Sequence, residues 1–185
     1  MPYKQPVSTL VVIYTRALDV LLLERADHPG YWQSVTGSRD GDDSLRNTAI
    51  REVGEETGLD ATRNALTDWR VKNEYEIYAK WQHRYPPGTT HNTEHVFGLE
   101  LPIVLPVQLS PREHLSYIWL PWQAAAEKVF SPSNRAAILQ LPMRAEIQIP
   151  PNPHFPKGGV HEPPLLKGAV NEVSGGFLWN PIENN

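Results

Sequence analysis

The chain has 185 residues, 40% of them hydrophobic, with 17 Lys and Arg against 21 Asp and Glu for a formal net charge of -4, and it contains no cysteine. That length suits one domain with a proper core and leaves no comfortable room for a second catalytic domain. The slight acidity argues against a general nucleic-acid binder that works by neutralising phosphates, and the lack of cysteine excludes disulfides, thiolate metal sites and cysteine nucleophiles. The opening MPYKQPVSTLVVIY has neither the long apolar core nor the cleavage site of a signal peptide, and no run of about 20 apolar residues occurs. No membrane partner is expected, and the cytoplasm is the expected compartment.

Residues 7–14, VSTLVVIY, are rich in β-branched side chains and predict a buried strand. Val20 to Arg25 predicts a second after a polar turn at Thr15 to Asp19, so the two should form a hairpin. His28-Pro29-Gly30 breaks the pattern, and Tyr31 to Thr36 alternates again until it meets Gly37. A loop from Ser38 to Asp43 precedes a helix predicted from about Ser44 to Thr57. Leu45, Ala49 and Val53 give that helix a docking stripe, and Gly58 stands where a left-handed terminating residue belongs. Gly54 inside it costs about 0.5–1 kcal/mol relative to alanine, which predicts a close neighbour at that point.

Further strands are predicted at Leu66 to Tyr78, His95 to Leu101 and Leu115 to Leu120, with a loop at Arg84-Tyr85-Pro86-Pro87-Gly88. Pro121 then opens an alanine-rich helix, and a short one follows from about Asn134 to Leu141, which places the domain at 1–141. Eight of the 18 prolines fall beyond it, so 142–185 is expected to lack an independent fold. Phe155, Leu165, Leu166, Phe177, Leu178 and Trp179 are too apolar for a solvated linker and predict an extended arm packed on its own domain or on a partner subunit.

Chemistry concentrates in the predicted first helix. Glu52, Glu55 and Glu56 stand at i, i+3 and i+4, on one helical face, where like charges repel. A hard divalent cation such as Mg²⁺ is the natural neutraliser, the plain alternative being a solvated outer face. The surrounding string reads Gly37-x5-Asp43-x7-Arg51-Glu52-Val53-x-Glu55-Glu56-x-Gly58-Leu59. It resembles the Nudix box, with Asp43 in place of the usual glutamate as its one departure.

The resemblance implies an α/β class fold, the Nudix α/β/α sandwich with a mixed β-sheet, followed here by the proline-rich C-terminal extension. It also implies a hydrolase acting on phosphorus anhydrides, with Mg²⁺ as cofactor, Mn²⁺ as a substitute, and a small-molecule triphosphate as substrate. Carried over from the box, Glu52 and Glu56 are metal ligands, Glu55 a further ligand or a support, and Arg51 the group that orients them. Two roles are open to Asp43: a brace for Arg51, looser than glutamate would give, or the cap of the helix. Gly37, Asp43 and Gly58 are structural positions of the box.

Several stretches outside the box narrow the likeness to a bacterial subfamily that hydrolyses dihydroneopterin triphosphate, formerly described as acting on dATP. They are Tyr3-Lys4-x-Pro6-Val7-Ser8, Tyr31-Trp32-Gln33-Ser34-Val35-Thr36-Gly37, His83-Arg84-Tyr85-x-Pro87-Gly88, Asn92-Thr93-Glu94, Glu113-His114-Leu115-x-Tyr117 and Ser133-Asn134-Arg135. That likeness implies release of pyrophosphate to leave dihydroneopterin monophosphate, a step toward folate, and makes Glu113 a metal ligand; its place just before a predicted strand, within reach of the metal cluster, also makes it a candidate general base. Lys4 and Arg25 are candidate phosphate contacts, and Thr36 and Ser131 candidate polar contacts. Trp32, Tyr75 and Tyr78 are open to two readings, ring-stacking walls or core. The seven histidines lack the compact spacing of a zinc site, and His83, His91 and His95 cluster only around a loop. The rival readings are a house-cleaning nucleoside triphosphate pyrophosphohydrolase acting on dATP and a non-catalytic Nudix-fold binding module.

Overall fold

A computed structural model of the protein describes residues 3–148 of the 185. Strands β1 (Val7–Thr15) and β2 (Asp19–Arg25) form the expected hairpin, but they touch in register only at Tyr14 and Val20. Leu18 makes the turn at φ 64°, a conformation disfavoured for a branched side chain and held by the hydrogen bond its backbone N–H donates to the Thr15 carbonyl and by packing on the core. Away from the turn the hairpin splays, and the next segment fills the gap. β3 (Trp32–Gln33) pairs with β2, whereas β4 (Val35–Ser38) pairs with β1.

The strand expected from Tyr31 to Thr36 is thus two, broken at Ser34. Its backbone amide donates to Asn134 Oδ1 at 2.8 Å, and Asn134 Nδ2 donates to Ser34 Oγ at 2.9 Å, all of it buried. A side chain 100 residues away supplies the partner that neither neighbouring strand can offer.

β5 (Ala65–Glu76) and β6 (His91–Leu101) run antiparallel, and β6 runs parallel to β1 over the whole of β1, from Val7–Thr93 to Thr15–Leu101. β7 (His114–Pro121) pairs with β2 and completes a seven-stranded mixed sheet. A bulge between Asp68 and Val71, with Arg70 at φ 57°, interrupts β5. It accompanies the burial of Trp69, whose indole lies where Gly98 has no side chain: a Cβ there would stand 2.4 Å from Nε1.

Helices cover both faces of the sheet because β1 is apolar on both. Val11 and Ile13, with Leu21, Leu23, Phe97 and Leu99, pack against Ala49 and Val53 of α1 (Leu45–Thr57). Leu10, Val12 and Tyr14, with Val20, Leu22 and Val96, pack against α3 (Trp122–Lys128), α4 (Pro132–Ile138) and the start of α5 (Leu141–Gln148). The result is the α/β/α sandwich expected from the box.

Three local expectations are corrected. Ser44, not Asp43, caps α1, its side chain accepting from the Asn47 amide at 3.1 Å. Gly54 has no crowded neighbour: the nearest atom to a methyl added there would be Leu59 O, at 4.0 Å. The short helix expected from about Asn134 to Leu141 is α4 and ends at Ile138, and a separate helix, α5, enters the stretch expected to lack regular structure, with Pro142 in its first turn, where no intrahelical hydrogen bond is lost. Two short elements carry no signal of their own in the sequence, the 3₁₀ turn Ala61–Arg63 and α2 (Ala79–Gln82), the latter following the end of a strand predicted to reach Tyr78. The apolar arm positions from Phe155 to Trp179 lie outside the described residues.

Candidate active site

The loop between β4 and α1 and the C-terminal half of that helix bring the box residues together. Arg51 is their hub. Its Nη1 donates to Glu52 Oε1 at 2.8 Å and to Glu55 Oε2 at 3.1 Å, and its Nη2 donates to the Ser38 carbonyl at 2.9 Å. The third nitrogen, Nε, is buried with no hydrogen-bond partner among the described residues, and the Asp43 carboxylate oxygen Oδ2 stands 3.8 Å from it. The short side chain of Asp43 therefore leaves a brace that is electrostatic rather than hydrogen-bonded. Asp43→Glu should close that gap and raise thermal stability by about 0.5–1.5 kcal/mol, read as an increase in Tm; an unchanged or lower Tm would count against the brace.

Gly37 explains how Glu52 fits. A Cβ at position 37 would lie 1.7 Å from Glu52 Cδ, so the carboxylate occupies the space a side chain would need. Burial lifts the Glu52 carboxyl to about 7; Glu56 and Glu55 add to the rise and Arg51 opposes it. Glu56 is 4% exposed, and burial pushes its carboxyl up as well, against hydrogen bonds from His114 and from the Thr36 backbone amide. His114 Nε2 lies 3.0 Å from Glu56 Oε2, with both side chains buried.

Ligand atoms of Glu56, Glu113 and His114 all lie within 4.8 Å of one another, which makes these three residues a candidate metal group. The box acids divide accordingly. Glu56 faces this group and a cleft, while Glu52 and Glu55 hold Arg51 and do not line the cleft. Buried carboxylates whose protons are held up by desolvation and by one another suit a hard divalent cation, which favours oxygen donors and relieves their repulsion.

The cleft has a volume of about 1090 Å³ and runs from Glu56, Glu113 and His114 to the N-terminal end of α4. Lys4, Thr36, Gly37, Ser131, Tyr75 and Tyr78 line it as well. Arg25 does too, but its guanidinium is engaged: Nε and Nη2 bond both Asp27 oxygens at 2.8 and 2.7 Å, and Nη1 bonds Gln33 Oε1 at 2.9 Å. It lies within about 6 Å of the Trp81 and Phe130 rings, so it serves as wall as much as charge. Trp32 is not among the lining residues; it packs on the core with Lys128 Nζ 4.5 Å from its ring centroid. Ser131 Oγ is 2.9 Å from Ser133 Oγ.

Sequence reasoning assigns no role to His114, Trp81, Phe130, Asn92 or Glu94, all of them at the site. The stretches Asn92-Thr93-Glu94 and Glu113-His114-Leu115 do stand out in the sequence, so a signal is there; the burial that gives these polar groups meaning is not.

The NUDIX domain model matches residues 4–141. The chain is 45% identical over 146 residues to the dihydroneopterin triphosphate diphosphatase of Escherichia coli, an alignment that spans 77% of this chain and 96% of that protein. It is 42% identical over 141 residues to the protein of the same name from Haemophilus influenzae, spanning 75% and 88%. Among solved structures it resembles the E. coli dihydroneopterin triphosphate pyrophosphohydrolase with a TM-score of 0.71 and 44% identity, over 78% of this chain and 99% of that one. A NUDIX hydrolase fold from Listeria monocytogenes is similar with a TM-score of 0.66 at 22% identity, over 77% and 96%. The box, the sandwich and the cleft converge with these matches, and the chain belongs to the Nudix family.

Proposed function

We propose that the protein hydrolyses dihydroneopterin triphosphate to dihydroneopterin monophosphate and pyrophosphate, with Mg²⁺ as its working cation. One observation carries the reading: Glu56, buried and turned toward the cleft, meets Glu113 and His114 within 4.8 Å, in a chain 45% identical to an E. coli enzyme of that name. A divalent cation held there supplies Lewis-acid polarisation of a phosphoryl oxygen and charge for the leaving pyrophosphate. Glu56 and Glu113 are the residues that would hold it, and Glu52 and Glu55, carried by the same helix as Glu56, would be its further ligands.

The chain's own groups do the rest. His114 and the Thr36 amide fix the Glu56 carboxylate in one orientation, and Arg51 keeps Glu52 and Glu55 from repelling each other out of place. Lys4, Arg84 and Arg112 line the cleft and offset the triphosphate charge left over by the cation. Thr36 and Ser131 offer hydroxyls, and Tyr75 and Tyr78 flank the flat ring. The deciding measurement is kcat/KM for dihydroneopterin triphosphate against dATP at matched Mg²⁺; a clear preference for dATP would favour the house-cleaning reading instead.

The raised carboxyls give this site a signature in stability. Burial holds the Glu52 carboxyl up at about 7 and pushes the Glu56 carboxyl in the same direction, against 4.5 for the same group in the unfolded chain. The native state thus binds more protons through that interval, and metal-free stability should fall as pH rises from about 5 to about 8. Adding Mg²⁺ favours the ionised carboxylates, so it should raise Tm more at pH 8 than at about pH 5.5, with protons released on binding. A Mg²⁺ effect independent of pH would separate the cation from these groups.

A further inference from the structure

Glu94 is a second buried acid of the cleft, apart from the candidate metal group. It stands on β6 opposite Ser8 of β1 and Asn73 of β5, is 6% exposed, and lines the cleft. Asn73 Nδ2 donates to its Oε1 at 3.2 Å, and the Ser133 hydroxyl donates from α4. Among the described residues no ion pair reaches it. A buried carboxylate with only neutral donors is under-satisfied, since ionised it accepts about four hydrogen bonds.

Its neighbour on the same face repeats the pattern. Asn92 commits Nδ2 to the hydroxyls of Ser8 and Tyr75, at 2.7 and 3.0 Å, while its Oδ1 is buried with no partner among the described residues. This part of the floor therefore presents acceptors in want of donors. Tyr75, opposite Asn92 in register, lines the cleft beside them.

A flat ring with two adjacent, parallel N–H donors meets that want. The 2-amino-4-oxopyrimidine edge of a pterin has such a pair, in the exocyclic amino group and the ring N–H next to it. We propose that Glu94 selects the heterocycle by accepting both of those hydrogen bonds, with Asn73 holding the carboxylate in place; the inference rests on the pterin reading above. Adenine sets a ring acceptor where the pterin has its N–H, so one carboxylate oxygen would face a lone pair. A polar site built for a donor rejects the analogue lacking it far more strongly than an apolar pocket does.

The test is Glu94→Gln, which keeps the shape and replaces one acceptor by a donor. The ratio of kcat/KM for dihydroneopterin triphosphate over dATP should fall at least about 100-fold relative to the unsubstituted protein, because the amide complements adenine and opposes the pterin. A parallel loss on both substrates, as a merely structural role would give, or an unchanged ratio overturns the assignment. A second measurement needs no variant: GTP, which has the same edge, should compete at least about tenfold more tightly than ITP, which lacks the amino group. Equal inhibition, or none, overturns it as well. If the unsubstituted protein fails to hydrolyse dihydroneopterin triphosphate, the substrate reading falls, and the comparison of GTP with ITP still reports on Glu94.

Discussion

Glu56→Gln is expected to lower kcat by about two to three orders of magnitude while Tm stays the same or rises. The two expectations have one cause. Glu56 is buried, and desolvation already disfavours its charge in the absence of a cation, so a neutral amide of the same shape costs the fold nothing. The amide can still bond His114 Nε2, now 3.0 Å from the carboxylate, through a suitable tautomer. What it cannot do is supply an anionic oxygen to a cation beside Glu113. Pyrophosphate release, with thermal melts in the presence and absence of Mg²⁺, reads both effects. Undiminished turnover would remove Glu56 from the reaction.

Gly37→Ala should separate geometry from folding even more sharply. The added methyl would stand 1.7 Å from Glu52 Cδ and 2.0 Å from Oε1, an overlap that only displacement of that side chain relieves. Glutamate is flexible, so the fold gives way cheaply and Tm should drop by no more than a few degrees. The carboxylate, however, leaves its bond to Arg51, which then has Glu55 as its remaining hydrogen-bonded acid. Activity should fall about 100-fold, as it does when a reacting arrangement is misplaced by about 1 Å. The Mg²⁺-induced rise in Tm should shrink with it. A fully active variant would show that the placement of Glu52 is immaterial.

Much of the fold is legible in the sequence because the strongest signals are local. The β-branched run of β1, the apolar stripe of α1 and the left-handed Gly58, at φ 71°, each announce themselves within a few residues. What stays hidden depends on residues far apart in sequence. The break at Ser34 has its reason in Asn134, and the burial of Glu94 comes from two neighbouring strands and a distant helix. Helix α2 has only four residues, too few for any period.

The glycines make the same point in the opposite sense. Gly54 attracts notice because it offends helix propensity, yet it has open space; Gly37, in a strand where propensity says little, is the one pressed against a functional carboxylate. Propensity measures the backbone's preference, whereas the constraint comes from tertiary packing. For the site, the box spacing places Glu52, Glu55 and Glu56 on one helix but not their division of labour. That Arg51 takes two of them and leaves Glu56 to His114 is decided by direction and depth, which a linear string does not carry.

The crossover at Ser34 also bears on how the molecule is made. Its buried amide finds its partner only in Asn134, so the segment joining β3 to β4, which leads straight into the box, stays unsettled until the last third of the domain has been synthesised and docked. A nascent chain or fragment that ends before α4 should thus carry every acid of the box and still be inert. Competence to turn over substrate would arrive with the final helices rather than with the acids themselves.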